Sequence, residues 1–167
     1  IEALEQLGLI QYVDFEVWEH IHYGAPSAET LKMYSVIIWF TGDDYETTLE
    51  KEDRDALREY LISGGNLFIS GQDIGYDANS SGWIDWYETY LKAIFEADST
   101  GAYIVNGVSG SIFDGIRLNL SDGDGADNNF FPSDISPTRG SVLAMYYDDD
   151  PKLGATIVHD GDYKLVY

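Results

Sequence analysis

The short run Asn66-Leu67-Phe68-Ile69-Ser70 stops abruptly in Gly71-Gln72-Asp73-Ile74-Gly75, and an aromatic-rich stretch follows. An apolar segment that ends in a glycine-flanked polar residue outlines a strand, a sharp turn and a helix, the geometry of a nucleophile elbow. Its central residue here is Asp73, where serine or cysteine is usual. Gly71 and Gly75 predict a turn that holds the Asp73 side chain above the carboxyl end of a strand, where open α/β sheets place ligands.

A second apolar run, residues 36–40, leads into Thr41-Gly42-Asp43-Asp44 and reads as a central strand buried on both faces. Between the two runs, Thr47 and Glu50 predict a capping box, Glu50 and Arg54 a helical charge pair, and Leu57, Tyr60 and Leu61 a buried face. Gly64-Gly65 closes that helix. Strand, crossover helix and strand make a βαβ unit, which forces a parallel pair.

Elsewhere the patterns are shorter. Ile1, Leu4 and Leu7 before Gly8 predict the end of a helix, and the alternation over residues 12–18 predicts a half-buried or edge strand. Residues 83–97 are expected to be one helix, burying Ile84, Tyr87, Leu91, Ile94 and Phe95. Beyond Ser99, apolar runs at 102–105, 116–120, 142–147, 155–159 and 163–167 read as strands. The long polar loop 121–139 is functional or organised by something bound. The expected fold class is therefore α/β, a doubly wound, mainly parallel sheet with flanking helices and a strand-rich C-terminal half. A length of 167 residues suits one domain, 1–167. A start at Ile1, inside a helix pattern, predicts a piece of a longer multidomain protein.

Nine Lys and Arg against 30 Asp and Glu leave a net charge of −21, which repels polyanions and sets aside nucleic acid and anionic membrane surfaces as partners. Such acidity fits a saline habitat, a calcium-rich extracellular setting or solubility pressure. The absence of cysteine removes thiolate nucleophiles, disulfides and cysteine metal sites. No apolar run is long enough for membrane insertion as a helix, and no nucleotide-binding or redox cofactor motif occurs.

The segments 35–45 (Ser-Val-Ile-Ile-Trp-Phe-Thr-Gly-Asp-Asp-Tyr) and 64–76 (Gly-Gly-Asn-Leu-Phe-Ile-Ser-Gly-Gln-Asp-Ile-Gly-Tyr) together resemble a flavodoxin-like domain related in fold to class I glutamine amidotransferases. Such domains occur in microbial secreted multidomain proteins, often beside protease domains and cell-surface modules. Weaker similarity extends to Gly107-Val108-Ser109-Gly110, Leu118-Asn119-Leu120, Gly123-Asp124-Gly125-Ala126 and residues 163–167. The resemblance implies a parallel-sheet core, an extracellular or cell-surface accessory role, and neighbouring domains of the parent protein as partners. It also implies a strand ahead of the first helix, which is missing before Ile1. Amidotransferases of that fold carry a cysteine at the elbow, so Asp73 in a cysteine-free chain rejects glutamine hydrolysis.

Asp43, Asp44, Asp73 and Asp77 follow directly on the two parallel strands and are candidates to converge at the sheet mouth. Close carboxylates split their pKa values for acid and base work or share a divalent cation, although turns and helix caps select aspartate anyway. The catalytic candidates are Asp73 with Asp43 and Asp44. In the stretch 121–129, Asp122, Asp124 and Asp127 alternate with glycines as calcium ligands do, without the terminal glutamate of an EF-hand; a solvated acidic turn has the same composition. Asp148-Asp149-Asp150 reads as a charged loop, and His20, His22 and His159 as structural or surface residues. Trp83, Trp86, Tyr87 and Tyr90 read mainly as core, with Trp86 the one most suited to meet a sugar.

Three readings follow. The first is a noncatalytic accessory domain of a secreted or cell-surface modular protein, stabilised by calcium. The second is a hydrolase that uses the elbow aspartate, and the third is a carbohydrate-binding module.

Overall fold

The parallel pair expected from the strand, helix and strand unit forms, but it lies at the edge of the sheet rather than at its centre. The computed structural model describes residues 1–121, 129–148 and 150–167. In chain order the elements are α1 (Glu2–Gln6), α2 (His20–Tyr23), α3 (Ala28–Leu31), β1 (Val36–Gly42), α4 (Lys51–Ile62), β2 (Asn66–Gly71), α5 (Ile74–Ser80) and α6 (Ile84–Tyr90). Then come β3 (Ala93–Ala97), β4 (Ile104–Gly107), β5 (Arg117–Asn119), β6 (Asp134–Pro137), β7 (Ser141–Tyr147), β8 (Gly154–Asp160) and β9 (Lys164–Val166).

The main sheet runs β1-β2-β9-β8-β7-β4-β5, and β3 with β6 forms a separate antiparallel ribbon. Among the described strands the β1–β2 and β2–β9 pairs are parallel; β9–β8, β8–β7, β7–β4 and β4–β5 pair antiparallel. The fold is thus α/β with a mixed sheet that, among the described residues, α3 to α6 cover on one face, which corrects the expectation of a doubly wound, mainly parallel one. The reason is connection length. The links β7 to β8 and β8 to β9 are too short for a crossover, and short links between adjacent strands demand reversal.

Helices α3 to α6 and the ribbon share one core with the inward side of the sheet. Leu67 and Ile69 of β2, Leu165 of β9 and Ile157 of β8 meet Leu57, Tyr60 and Leu61 of α4, Ile74 and Ala78 of α5, and Tyr87 of α6. A smaller cluster of Ala102, Val105, Met145 and Tyr147 lies under the β4–β7 end. Gly65 is where α4 closes on the sheet: a Cβ there would stand 2.3 Å from the Tyr60 ring, so only glycine admits that phenol.

Several local expectations change. Residues 83–97 form α6 and β3 rather than one helix, because Lys92 takes a left-handed φ of 58° and the chain then pairs with β6. Ile94 is consequently exposed. The stretch 12–18 forms no strand; it carries an isolated bridge between Gln11 and Phe15, with Tyr12 at a φ of 65°. The capping box of α4 uses Glu50 and Asp53 in place of Thr47 and Glu50. Strand β1 alternates exposed and half-buried residues instead of being buried on both faces, since Ile37 and Trp39 meet the core while Val36, Ile38 and Phe40 face outward. The β6 strand inside the long polar loop is absent from the sequence pattern.

Gly154 gives a sharp test of how the ribbon docks. A Cβ at this position would lie 1.8 Å from the Ile135 carbonyl oxygen, a backbone atom that has nowhere to go. Gly154→Ala is expected to destabilise the fold by about 3 kcal/mol, against about 1 kcal/mol for Gly82→Ala, whose strain is conformational only. Urea titration of both variants measures the difference, and equal losses would show that β6 does not pack on β8 as described.

Candidate functional site

The carboxyl ends of β1, β2 and β9 point the same way and bring Thr41, Gly71, Asp73 and Tyr167 to one end of the sheet. Both elbow glycines are explained by close approach, not by turn conformation, for neither has a positive φ. A Cβ on Gly71 would sit 1.7 Å from the Thr41 Oγ1, and one on Gly75 would sit 2.7 Å from the Phe95 ring and 3.1 Å from the Tyr87 hydroxyl. Asp73 itself has φ −119° and ψ 15°, free of the left-handed strain that marks a nucleophile on its elbow.

Asp73 is 3% exposed and makes no cap hydrogen bond to the helix it precedes. Burial pushes its carboxyl up to about 6, and the nearby Asp98 charge adds to the rise. The carboxylate it feels is therefore Asp98, and not Asp43 or Asp44. The Asp73 charge reaches the Tyr167 phenol, which pairs with Tyr87, a residue expected only as core. Tyr87 donates to the Tyr167 hydroxyl at 3.2 Å with the two rings edge to face at 5.5 Å, and burial raises the pKa of both, with Tyr147 raised likewise. The available signal was the tyrosine closing each apolar run, at 147 and 167, which a strand pattern alone does not distinguish from core.

The other candidate carboxylates are occupied locally. Asp44 accepts the backbone N–H groups of Glu46 and Thr47, both at 3.0 Å, and the Thr47 hydroxyl at 3.1 Å. Partial burial opposes its charge, but these donors outweigh it and hold the carboxyl below its usual value. Asp43 is exposed. Asp77 is 2% exposed, accepts the Thr48 N–H at 2.9 Å and hydroxyl at 2.8 Å through one oxygen, and accepts the Ser81 hydroxyl at 2.7 Å through the other. It ties the start of α4 to α5. The sheet mouth thus gathers Asp73 with Tyr87 and Tyr167, and spends Asp44 and Asp77 on turns and tethers.

Asp122, Asp124 and Asp127, the candidate calcium ligands, lie outside the described residues. Another group could hold a metal: ligand atoms of His20, Glu50 and Asp53 lie within 4.8 Å of one another. One histidine nitrogen and two carboxylates suit zinc in kind. Here Glu50 and Asp53 each spend an oxygen closing the cap of α4, and His20 Nε2 lies within hydrogen-bond distance of Asp53 Oδ1 at 2.9 Å, so the group is a cap held by the His20 ring. His22 turns instead to Glu19, at 2.6 Å. Trp83 and Tyr87 are buried, and Trp86 and Tyr90 are half-buried against the same core.

With the geometry in view, the fold has a counterpart. The chain is similar to the crystal structure of a ThuA-like protein from Bacteroides uniformis. The TM-score is 0.51 at 16% identity, over 98% of this chain and 70% of that one. ThuA-like proteins resemble the class I glutamine amidotransferase fold, so the fold part of the sequence resemblance holds. No family model and no curated protein matches the chain.

Two substitutions separate the roles of the aspartates. Asp73 has a folded pKa of about 6 against an ordinary value of 3.8, so the folded state favours the protonated acid. Its contribution is intact below pH 4 and is lost as pH rises to about 6. Asp73→Asn is therefore expected to match the parent at pH 4 and to exceed its stability by about 2 kcal/mol at pH 7. Parallel pH profiles of the unfolding free energy would refute that. Asp77→Ala strands three donors and is expected to cost about 3 kcal/mol at pH 7 in the same urea titrations.

Proposed function

We propose that the chain is a noncatalytic accessory domain of a secreted or cell-surface modular protein, which supports or positions neighbouring domains, protease modules among them. The observation that carries this reading is Asp73: a carboxyl occupies the elbow of an amidotransferase-like fold, 3% exposed and on an unstrained backbone. A nucleophile needs exposure and an activating base, whereas Asp73 is buried, with the Tyr167 phenol near it. The extracellular setting is supported by a charge of −21 and by the resemblance to domains of secreted proteins. Calcium held by Asp122, Asp124 and Asp127 is the proposed stabilising ion, on the grounds of their alternation with glycine.

A hydrolase is the second reading, and one observation favours it. An acid raised to about 6 in a buried setting is a suitable general acid near neutrality, and beside Gly71 the Thr41 hydroxyl is buried with no hydrogen-bond partner. The carbohydrate-binding alternative draws support only from Trp86 and Tyr90, both half-buried.

Thermal melts in chelator and then across a calcium titration at fixed ionic strength test the stabilising ion. Calcium at a hundredfold its dissociation constant adds ~2.7 kcal/mol, which raises Tm by roughly 5–10 °C. Replacing Asp122, Asp124 and Asp127 together with asparagine is expected to abolish the shift, and an unchanged Tm in the parent would remove calcium from the reading. The choice between accessory domain and hydrolase is read from turnover of nitrophenyl ester, phosphate and glycoside substrates. The accessory reading expects none above buffer; turnover that Asp73→Asn abolishes would establish the hydrolase.

A further inference from the structure

The outward side of the sheet carries a row of apolar side chains that is continuous across five strands. Register places Ile38 opposite Phe68, Phe68 opposite Val166, Val166 opposite Val158, and Val158 opposite Val142. Directly opposite residues share a face, so this row runs across the sheet for roughly 19 Å at the usual strand spacing. Ile38 is 46% exposed and Val142 59%, and Val36 and Phe40 beside Ile38 are exposed too. Phe68 meets Phe40 edge to face at 6.0 Å, and Ile112 rises at one side to bound a depression of about 270 Å³ over Val36, Phe68, Val158 and Val166. The parallel strands of α/β folds are covered on both faces; among the described residues, helices α3 to α6 pack against the opposite face. A contiguous apolar surface of this kind, with polar residues at its margins, marks an interaction site.

The charges at its ends say what kind of partner fits. Beyond the carboxyl end of β1 stand Asp43 and Asp44, and beyond the other end stand Asp160 and Asp162, all exposed. Lys164, the cation on this face, is engaged by Asp160 at 3.1 Å. Because Asp160 closes β8, three strands over from β1, the two acidic ends stand diagonally across the sheet, roughly 23 Å along the strands and roughly 14 Å across them. That diagonal, roughly 27 Å, is the length of a helix of roughly 18 residues. A second copy of this chain would bring another −21 charges to the same place and is disfavoured.

We infer that the open face over β1, β2, β9 and β8 docks an amphipathic helix of a partner polypeptide, with aliphatic residues on its apolar stripe and lysine or arginine at both ends. The helix lies obliquely across these four strands as the missing layer of the α/β architecture, its apolar stripe on Ile38, Phe68, Val166 and Val158 and its basic ends on the two aspartate pairs. This deepens the accessory-domain reading and rests on it.

The test uses the 167-residue chain and two labelled helical peptides of roughly 18 residues, identical in a leucine stripe and ended by lysines in one and glutamates in the other. Fluorescence anisotropy is expected to show the lysine-ended peptide binding at least tenfold tighter, with the gap narrowing as salt rises. Ile38→Glu and Phe40→Ser, both at exposed positions, are expected to weaken binding at least tenfold while leaving Tm unchanged. Binding by Ile38→Glu equal to the parent would overturn the surface yet leave the accessory reading standing. Self-association of the parent in sedimentation velocity, relieved by Ile38→Glu, would make the occupant a second copy and overturn the inference. Failure of the accessory reading shows separately, as turnover lost in Asp73→Asn with peptide binding intact.

Discussion

The Tyr60 phenol is the bolt between the helical layer and the sheet. Its ring is 1% exposed over Gly65, and its hydroxyl accepts the Asn66 N–H at 3.1 Å while lying within hydrogen-bond distance of the Asn66 and Tyr34 carbonyl oxygens. Those contacts fix the first residue of β2 against α4 and, through Tyr34, against the approach to β1. Because side chains alternate along a strand, fixing Asn66 also decides that Leu67 and Ile69 face the core and that Phe68 and Ser70 face outward. Everything at the far end of β2 inherits that register, including which way Gly71 meets Thr41 and where Asp73 begins α5.

The βαβ unit was legible because three independent signals agreed over residues 36–71: two apolar runs, a helical face between them and paired glycines at the return. Five strands in the C-terminal half were legible from their apolar runs, within one or two residues. Their direction was not, since an antiparallel hairpin strand and a buried parallel strand share the same residues and differ only in what lies between them. The helix expected over 83–97 failed at Lys92, where a positive φ in a non-glycine residue leaves no mark in the sequence. Of the candidate site, Asp73 was visible through its glycines. Tyr87 and Tyr167 were not, because they lie 80 positions apart and are joined only by the pairing of β9 with β2.

Charge and burial divide this molecule unevenly. Acidic residues outnumber basic ones 30 to 9, so the apolar outer face of the sheet is bordered by like charges that oppose self-association. Val36, Ile38 and Phe40 were read as a doubly buried strand because their composition is that of one, and the mismatch between that composition and their exposure is itself informative. A strand whose residues suit burial on both faces, but which meets the core on one, has hydrophobic free energy of about 25 cal/mol per Å² still to gain from whatever covers it.

Asp73 and Asp77 stand one helical turn apart and are equally buried, yet their situations are opposite. Asp77 accepts three hydrogen bonds from Thr48 and Ser81, enough to offset the desolvation of a carboxylate and to make it a tether between two helices. Asp73 has no such donors from the helix it begins, so its charge is opposed by burial and by Asp98 and its proton is retained toward neutrality. The asymmetry makes Asp77 a structural tether and leaves Asp73 the carboxyl whose charge changes near neutrality. A protonated carboxyl can donate a hydrogen bond as well as accept one, and the Tyr167 phenol is the group that feels its charge.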